Sequence, residues 1–166
     1  DCDWVMSLLA HDMDGDGDMD AVYSDRATVS WLENPGPNGP VEQPWTKHLV
    51  FKPSDPSISS FLTFADFDKD GLEDILCAFC KDGRIKGPDR DTRNGQNTIL
   101  FARRLDASGA KWENHSWGPY PQSFKIAEAA DVNQDGKLDI VCSSVNAARA
   151  PEVESGVFWL ELSGDF

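Results

Sequence analysis

The chain has 166 residues, of which 40% are hydrophobic, with six tryptophans, a formal charge of −14 and a pI near 4.4. That length and apolar content support a packed core and exclude a disordered chain. The charge excludes a nucleic-acid partner, whose phosphates call for a basic footprint, and no apolar run of about 18 residues is present to span a membrane as a helix.

Residues 4–10 read as a first strand. They lead into Asp12-Met-Asp-Gly-Asp-Gly-Asp-Met-Asp20, then a short apolar run at 21–24 and a third strand, Val29-Ser-Trp31-Leu32. A turn rich in Gly, Pro and Asn (34–40) precedes a fourth strand that begins Trp45-Thr-Lys-His48. The order then starts again. Residues 61–65 lead into Asp66-Phe-Asp-Lys-Asp-Gly-Leu-Glu-Asp74, an apolar run at 75–79, a loop through 87–95, then Ile99-Leu-Phe101-Ala102 and Trp112-Glu-Asn-His115. The third copy has residues 124–130, Asp131-Val-Asn-Gln-Asp-Gly-Lys-Leu-Asp139, residues 140–143 and Val157-Phe-Trp159-Leu160; no Trp-x-x-His strand follows before Phe166. The loops begin at Asp12, Asp66 and Asp131, 54 and 65 residues apart. In the first copy His11 stands between Ala10 and the loop and reads as one extra residue.

A four-stranded unit at this period, with no sustained 3.6-residue apolar pattern, predicts an all-β fold built from β-propeller blades. One sheet has two faces and needs neighbours to cover both. The blades are expected at 1–52, 53–120 and 121–166, the last without its outer strand. A part of a propeller of this size fits a fragment of a longer protein, two copies pairing into a ring, or an open stack.

The loops share D-x-[DN]-x-D-G-x-x-D. They hold five, four and three aspartates in turn, twelve of the 29 acidic residues. Alternate side chains of a tight loop converge, the glycine at position 6 permits the reversal, and a hard cation such as Ca²⁺ takes six to eight oxygens. The expected ligands are Asp12, Asp14, Asp16 and Asp20 with the carbonyl of Asp18; Asp66, Asp68, Asp70 and Asp74 with that of Leu72; and Asp131, Asn133, Asp135 and Asp139 with that of Lys137. Three ions would bring the formal charge from −14 to −8. Affinity rises with ligand charge, so the third site, with Asn133, is expected to be the weakest. An EF-hand is excluded, because position 12 is Tyr23, Cys77 or Cys142 instead of glutamate and strands flank the loops in place of helices.

With these loops, the Ile/Val-rich strands behind them, and Trp31-Leu-Glu-Asn-Pro-Gly36 followed by Trp45-x-x-His48, the chain resembles FG-GAP/VCBS repeats, the calcium-loop blades of integrin α-subunit propellers and many secreted proteins. The Phe-Gly and Gly-Ala-Pro dipeptides of the integrin repeat are absent, and the family usually closes with about seven blades. The resemblance implies structural calcium pinning the turn between the first two strands of a blade. It also implies an extracellular, secreted or cell-surface location and an adhesion, carbohydrate-binding or protein-interaction role. A fragment of a secreted polysaccharide-active enzyme and a purely architectural repeat are the alternatives.

No catalytic constellation is visible. His48 and His115 occupy matched positions, which assigns them to the framework, and no nucleophile or phosphate-loop motif occurs. Cys77 and Cys142 also match each other and read as small buried residues that do not meet, while Cys2 and Cys80 are left unassigned. Trp31, Trp45, Trp112 and Trp159 read as packing between blades. Trp117 and Tyr120, in a Gly-Pro turn, and Arg84, Lys86 and Arg90, in a basic loop, are the candidate contacts for a glycan or protein partner.

Overall fold

A computed structural model describes residues 4–26, 28–40, 42–53, 57–81, 97–120, 123–145 and 156–162. Arg84, Lys86, Arg90 and Cys2 lie outside them. The described residues form eleven strands and no helix. The first sheet takes β1 (Ser7–His11), β2 (Asp20–Ser24), β3 (Val29–Glu33) and β4 (Thr46–Phe51) in sequence order. The second takes β5 (Ser57–Ala65), β6 (Asp74–Lys81), β7 (Asn97–Arg104) and β8 (Trp112–Tyr120), and the third β9 (Ser123–Ala130), β10 (Asp139–Val145) and β11 (Gly156–Leu160). All pairs are antiparallel meander neighbours. The three antiparallel sheets fit blades of a partial propeller, and among the described residues no strand closes them into a barrel.

The register superposes the copies. Val22 faces Trp31, Leu76 faces Phe101 and Val141 faces Trp159. It also corrects one alignment. His11 pairs with Asp20 as Ala65 pairs with Asp74 and Ala130 with Asp139, so His11 replaces an alanine and is no insertion. Its ring stacks on Phe64 of the second sheet, centroids 4.4 Å apart, and its Nε2 lies 3.3 Å from Glu73.

Alternation along each strand puts one apolar set on each face. Met13, Val22, Val29 and Trp31 of the first sheet meet Leu62, Ile75, Cys77 and Leu100 of the second. The opposite face of the second sheet, with Phe67, Leu76, Ile99 and Phe101, meets Phe124, Ala127, Ile140 and Cys142 of the third. Each fully buried side chain of this size contributes about 1.5–3 kcal/mol. Cys77 and Cys142 are buried on successive interfaces. On the third sheet the positions matching Phe61, Phe67, Ile99 and Phe101 are Ile126, Val132, Val157 and Trp159. The first four are 0–7% exposed and the last four 42–74% exposed. Trp159 therefore lies on a bare face, and Trp45 is exposed as well, whereas Trp31 is buried and Trp112 packs on the first interface.

Candidate metal centres

Each loop is shaped by its own aspartates. At position 1, one oxygen of Asp12 accepts the N–H of Gly17 at 3.1 Å; Asp66 accepts Gly71 at 3.0 Å and Asp131 accepts Gly136 at 2.9 Å. At position 5, Oδ1 of Asp16, Asp70 and Asp135 accepts the N–H of Asp18, Leu72 and Lys137, each at 2.8 Å. Oδ1 of Asp66 and Asp68 both approach the N–H of Asp70 at 3.1 Å, and Asp131 and Asn133 approach that of Asp135 in the same way at 3.1 and 3.0 Å. These local bonds explain why Asp and Asn recur there. The glycines of position 6 have φ between +85° and +94°, and position 4 is left-handed too: Gly15 at +77°, Lys69 at +62° and Gln134 at +61°.

Position 9 has a part that spacing alone does not reveal. Asp20, Asp74 and Asp139 are buried. One oxygen accepts the N–H of position 2 (Met13 at 2.8 Å, Phe67 at 3.1 Å, Val132 at 3.2 Å). The other accepts the N–H at the exit of the third strand (Asn34 at 2.8 Å, Arg104 at 2.8 Å, Leu162 at 3.4 Å). Each such carboxylate ties its loop to the strand two places across the sheet. Burial, opposed by these two N–H groups and reinforced by Asp68 and Asp70, pushes the Asp74 carboxyl up to about 6.

Carboxylate oxygens of Asp12, Asp14 and Asp20 all lie within 4.8 Å of one another, and so do those of Asp66, Asp68 and Asp74. The donors are oxygens only, which fits a hard divalent cation and not a thiolate- or imidazole-seeking one. Asp16 and Asp70 stand outside these groups, on the exposed side of their loops. The third loop repeats the backbone pattern with Asn133 in place of one carboxylate.

The flanking motif has a physical reading. Trp31 is buried and stacks on His48, centroids 4.1 Å apart; His48 Nε2 lies 2.7 Å from Glu33; and Asn34 supplies the N–H for Asp20 while its amide donates to Met19 O at 3.1 Å. Trp-Leu-Glu-Asn thus locks the first loop to the fourth strand. Residues 12–77 match the FG-GAP-like repeat. The FG-GAP-like stretch begins on the first aspartate of the first loop and runs through the whole second loop into β6. Together with the three sheets, this match supports a β-propeller-type repeat module. No match was found among curated proteins or among solved structures.

Trp117 and Tyr120 do not stand on a rim. Trp117 stacks on Phe101 with centroids 5.8 Å apart, Tyr120 meets Phe124 edge-on at 5.3 Å, and both pack against the second interface. Trp117 pairs with Ile99 and His115 with Phe101, so strand parity turns both side chains to the same packed face.

Proposed function

We propose that this chain is an extracellular calcium-binding blade module whose three loops each hold one Ca²⁺ as a structural ion. The observation that carries the reading is the grouping of three carboxylates at positions 1, 3 and 9 in two loops, with the same backbone scaffold in the third. Asp12, Asp14 and Asp20 would hold the first ion, Asp66, Asp68 and Asp74 the second, and Asp131, Asn133 and Asp139 the third. Asp16, Asp70 and Asp135 complete the shells by turning inward, with the carbonyls of Asp18, Leu72 and Lys137. A bound ion neutralises the acids of a loop and stabilises the native state by mass action, which suits millimolar extracellular calcium. Calorimetric titration of metal-free protein is expected to give three ions per chain, and melting in EDTA a clear fall in Tm. An unchanged melt would remove the structural role.

The module's role is recognition or adhesion through a protein or glycan partner. Support for a protein partner comes from the bare third sheet, where Ile126, Val132, Val157 and Trp159 repeat the residues that hold the second sheet to the third. A further blade-like sheet, from the same or another chain, fits that face. A glycan array read with calcium and with chelator tests the alternative: calcium-dependent capture supports a sugar ligand, and silence supports the protein partner.

A further inference from the structure

At the exit of the third strand, one residue before the N–H that feeds the position-9 aspartate, the three blades differ in charge. The matched residues are Glu33, Arg103 and Glu161. Glu33 pairs with His48, and Glu161 lies 3.5 Å from the amide of Asn133. Arg103 instead points its Nε into the second loop, 2.5 Å from Oδ2 of Asp68, whose side chain is only 4% exposed. Its Nη1 lies 3.7 Å from Glu113 on β8. The guanidinium is therefore shared between a buried loop carboxylate and an exposed one on the blade's outer strand.

We propose that Arg103 is a built-in competitor for the cation of the second loop, so that this site fills last and calcium entry transfers Arg103 from Asp68 to Glu113. The inference rests on the calcium reading above. A guanidinium keeps its charge throughout the physiological range, so Asp68 is released only by displacement. Counting loop positions 1, 3, 5 and 9 with the matched residue, the first site carries four aspartates and Glu33, formally −5. The third carries three aspartates and Glu161, formally −4; the second carries four aspartates and Arg103, formally −3. Ligand type alone ranks the Asn133 loop last, whereas the geometry ranks the Arg103 loop last. A two-position arginine also leaves the metal-free second loop with a counter-ion on its position-3 carboxylate.

The test is a chelator-competition titration of the full chain with Ca²⁺. Arg103→Gln should tighten the weakest of three steps about tenfold, the scale of one charge-assisted hydrogen bond. Arg103→Lys should keep that step near its wild-type value, and Glu113→Gln, which removes the second resting place, should weaken it. Asn133→Asp should move a different step. Without metal, Arg103→Gln should melt below wild type, because Asp68 then faces Asp66 and Asp74 with no cation to offset their charge; with calcium the order should reverse. Three steps unmoved by Arg103→Gln and Glu113→Gln, or a weakest step that answers to Asn133→Asp, would overturn the proposal while leaving the calcium sites standing. Absence of calcium binding in every variant would overturn the calcium reading and this inference with it.

Discussion

Titrating the metal-free protein from pH 5 to pH 7.5 is expected to weaken its fold, and calcium is expected to reverse the slope. The buried carboxyl of Asp74 sits near 6 against an ordinary 3.8, first because of burial and then because of Asp68 and Asp70. A carboxyl raised in the fold favours the protonated native state. Its contribution is complete below 3.8 and is lost as pH rises through 6. About two units correspond to about 3 kcal/mol in all, of which about 1.4 kcal/mol falls between pH 5 and 7.5. For a chain of this length that is a fall in Tm of about 4 °C. Asp14 is displaced the same way, by burial first and then by its neighbours Asp16, Asp20 and Glu33, so it reinforces the trend. A bound Ca²⁺ selects the ionised carboxylates, and stability should then climb over the same interval. Thermal melts of metal-free and calcium-loaded protein at pH 5, 6 and 7.5 read both slopes, and Asp74→Asn should flatten the metal-free one. A metal-free protein whose Tm stays level or rises with pH, or an Asp74→Asn variant that keeps the full slope, would refute the reasoning.

Three further outcomes follow from particular contacts. Arg104 is buried and donates to Met13 O, Ala107 O and Asp106 O at 2.6, 2.7 and 3.0 Å, joining the first loop to the β7–β8 turn; Arg104→Ala should cost about 3 kcal/mol in urea denaturation. Gln134 is held at φ +61° where the first loop has glycine, so Gln134→Gly should raise the Tm slightly, by up to about 1 kcal/mol of stability, and Gln134→Val should lower it. Val157→Lys combined with Trp159→Lys should abolish any concentration-dependent association seen by light scattering, without lowering the Tm of the monomer, because both side chains are exposed.

The strands and loops were legible because the signal is local. Nine residues of D-x-[DN]-x-D-G-x-x-D recur three times, and each copy is followed by apolar residues of β type. What escaped is long-range. Position 9 reads as one more ligand, yet its second bond reaches a residue 14, 30 or 23 positions on, at the end of a strand whose register no local pattern fixes. Trp117 and Tyr120 look like rim residues because Gly118 and Pro119 lie between them, but parity across β7 and β8 decides their face. Ala10 mimics the alanine of the other copies, so His11 reads as an extra residue; counting back from the first aspartate of the loop gives the right register. The left-handed fourth position had a single clue, Gly15, hidden by Lys69 and Gln134 in its siblings.

The contacts between copies bear on how the loops act together. Arg104 N–H feeds Asp74 of the second loop while its guanidinium grips Met13 O in the first. Lys69, at the fourth position of the second loop, donates to Gly136 O at the sixth position of the third. Gly109 permits the first of these approaches: a side chain there would place its Cβ 2.5 Å from Met13 O. The first and third loops are thus both anchored to the second blade, each through a backbone carbonyl of its own turn. An ion that fixes one loop fixes the carbonyl its neighbour grips, and an ion lost from one loosens the anchor of the next. Calcium removal should therefore be felt at both interfaces at once, so a single cooperative melt in calcium should broaden, or separate into steps, when the ions are stripped.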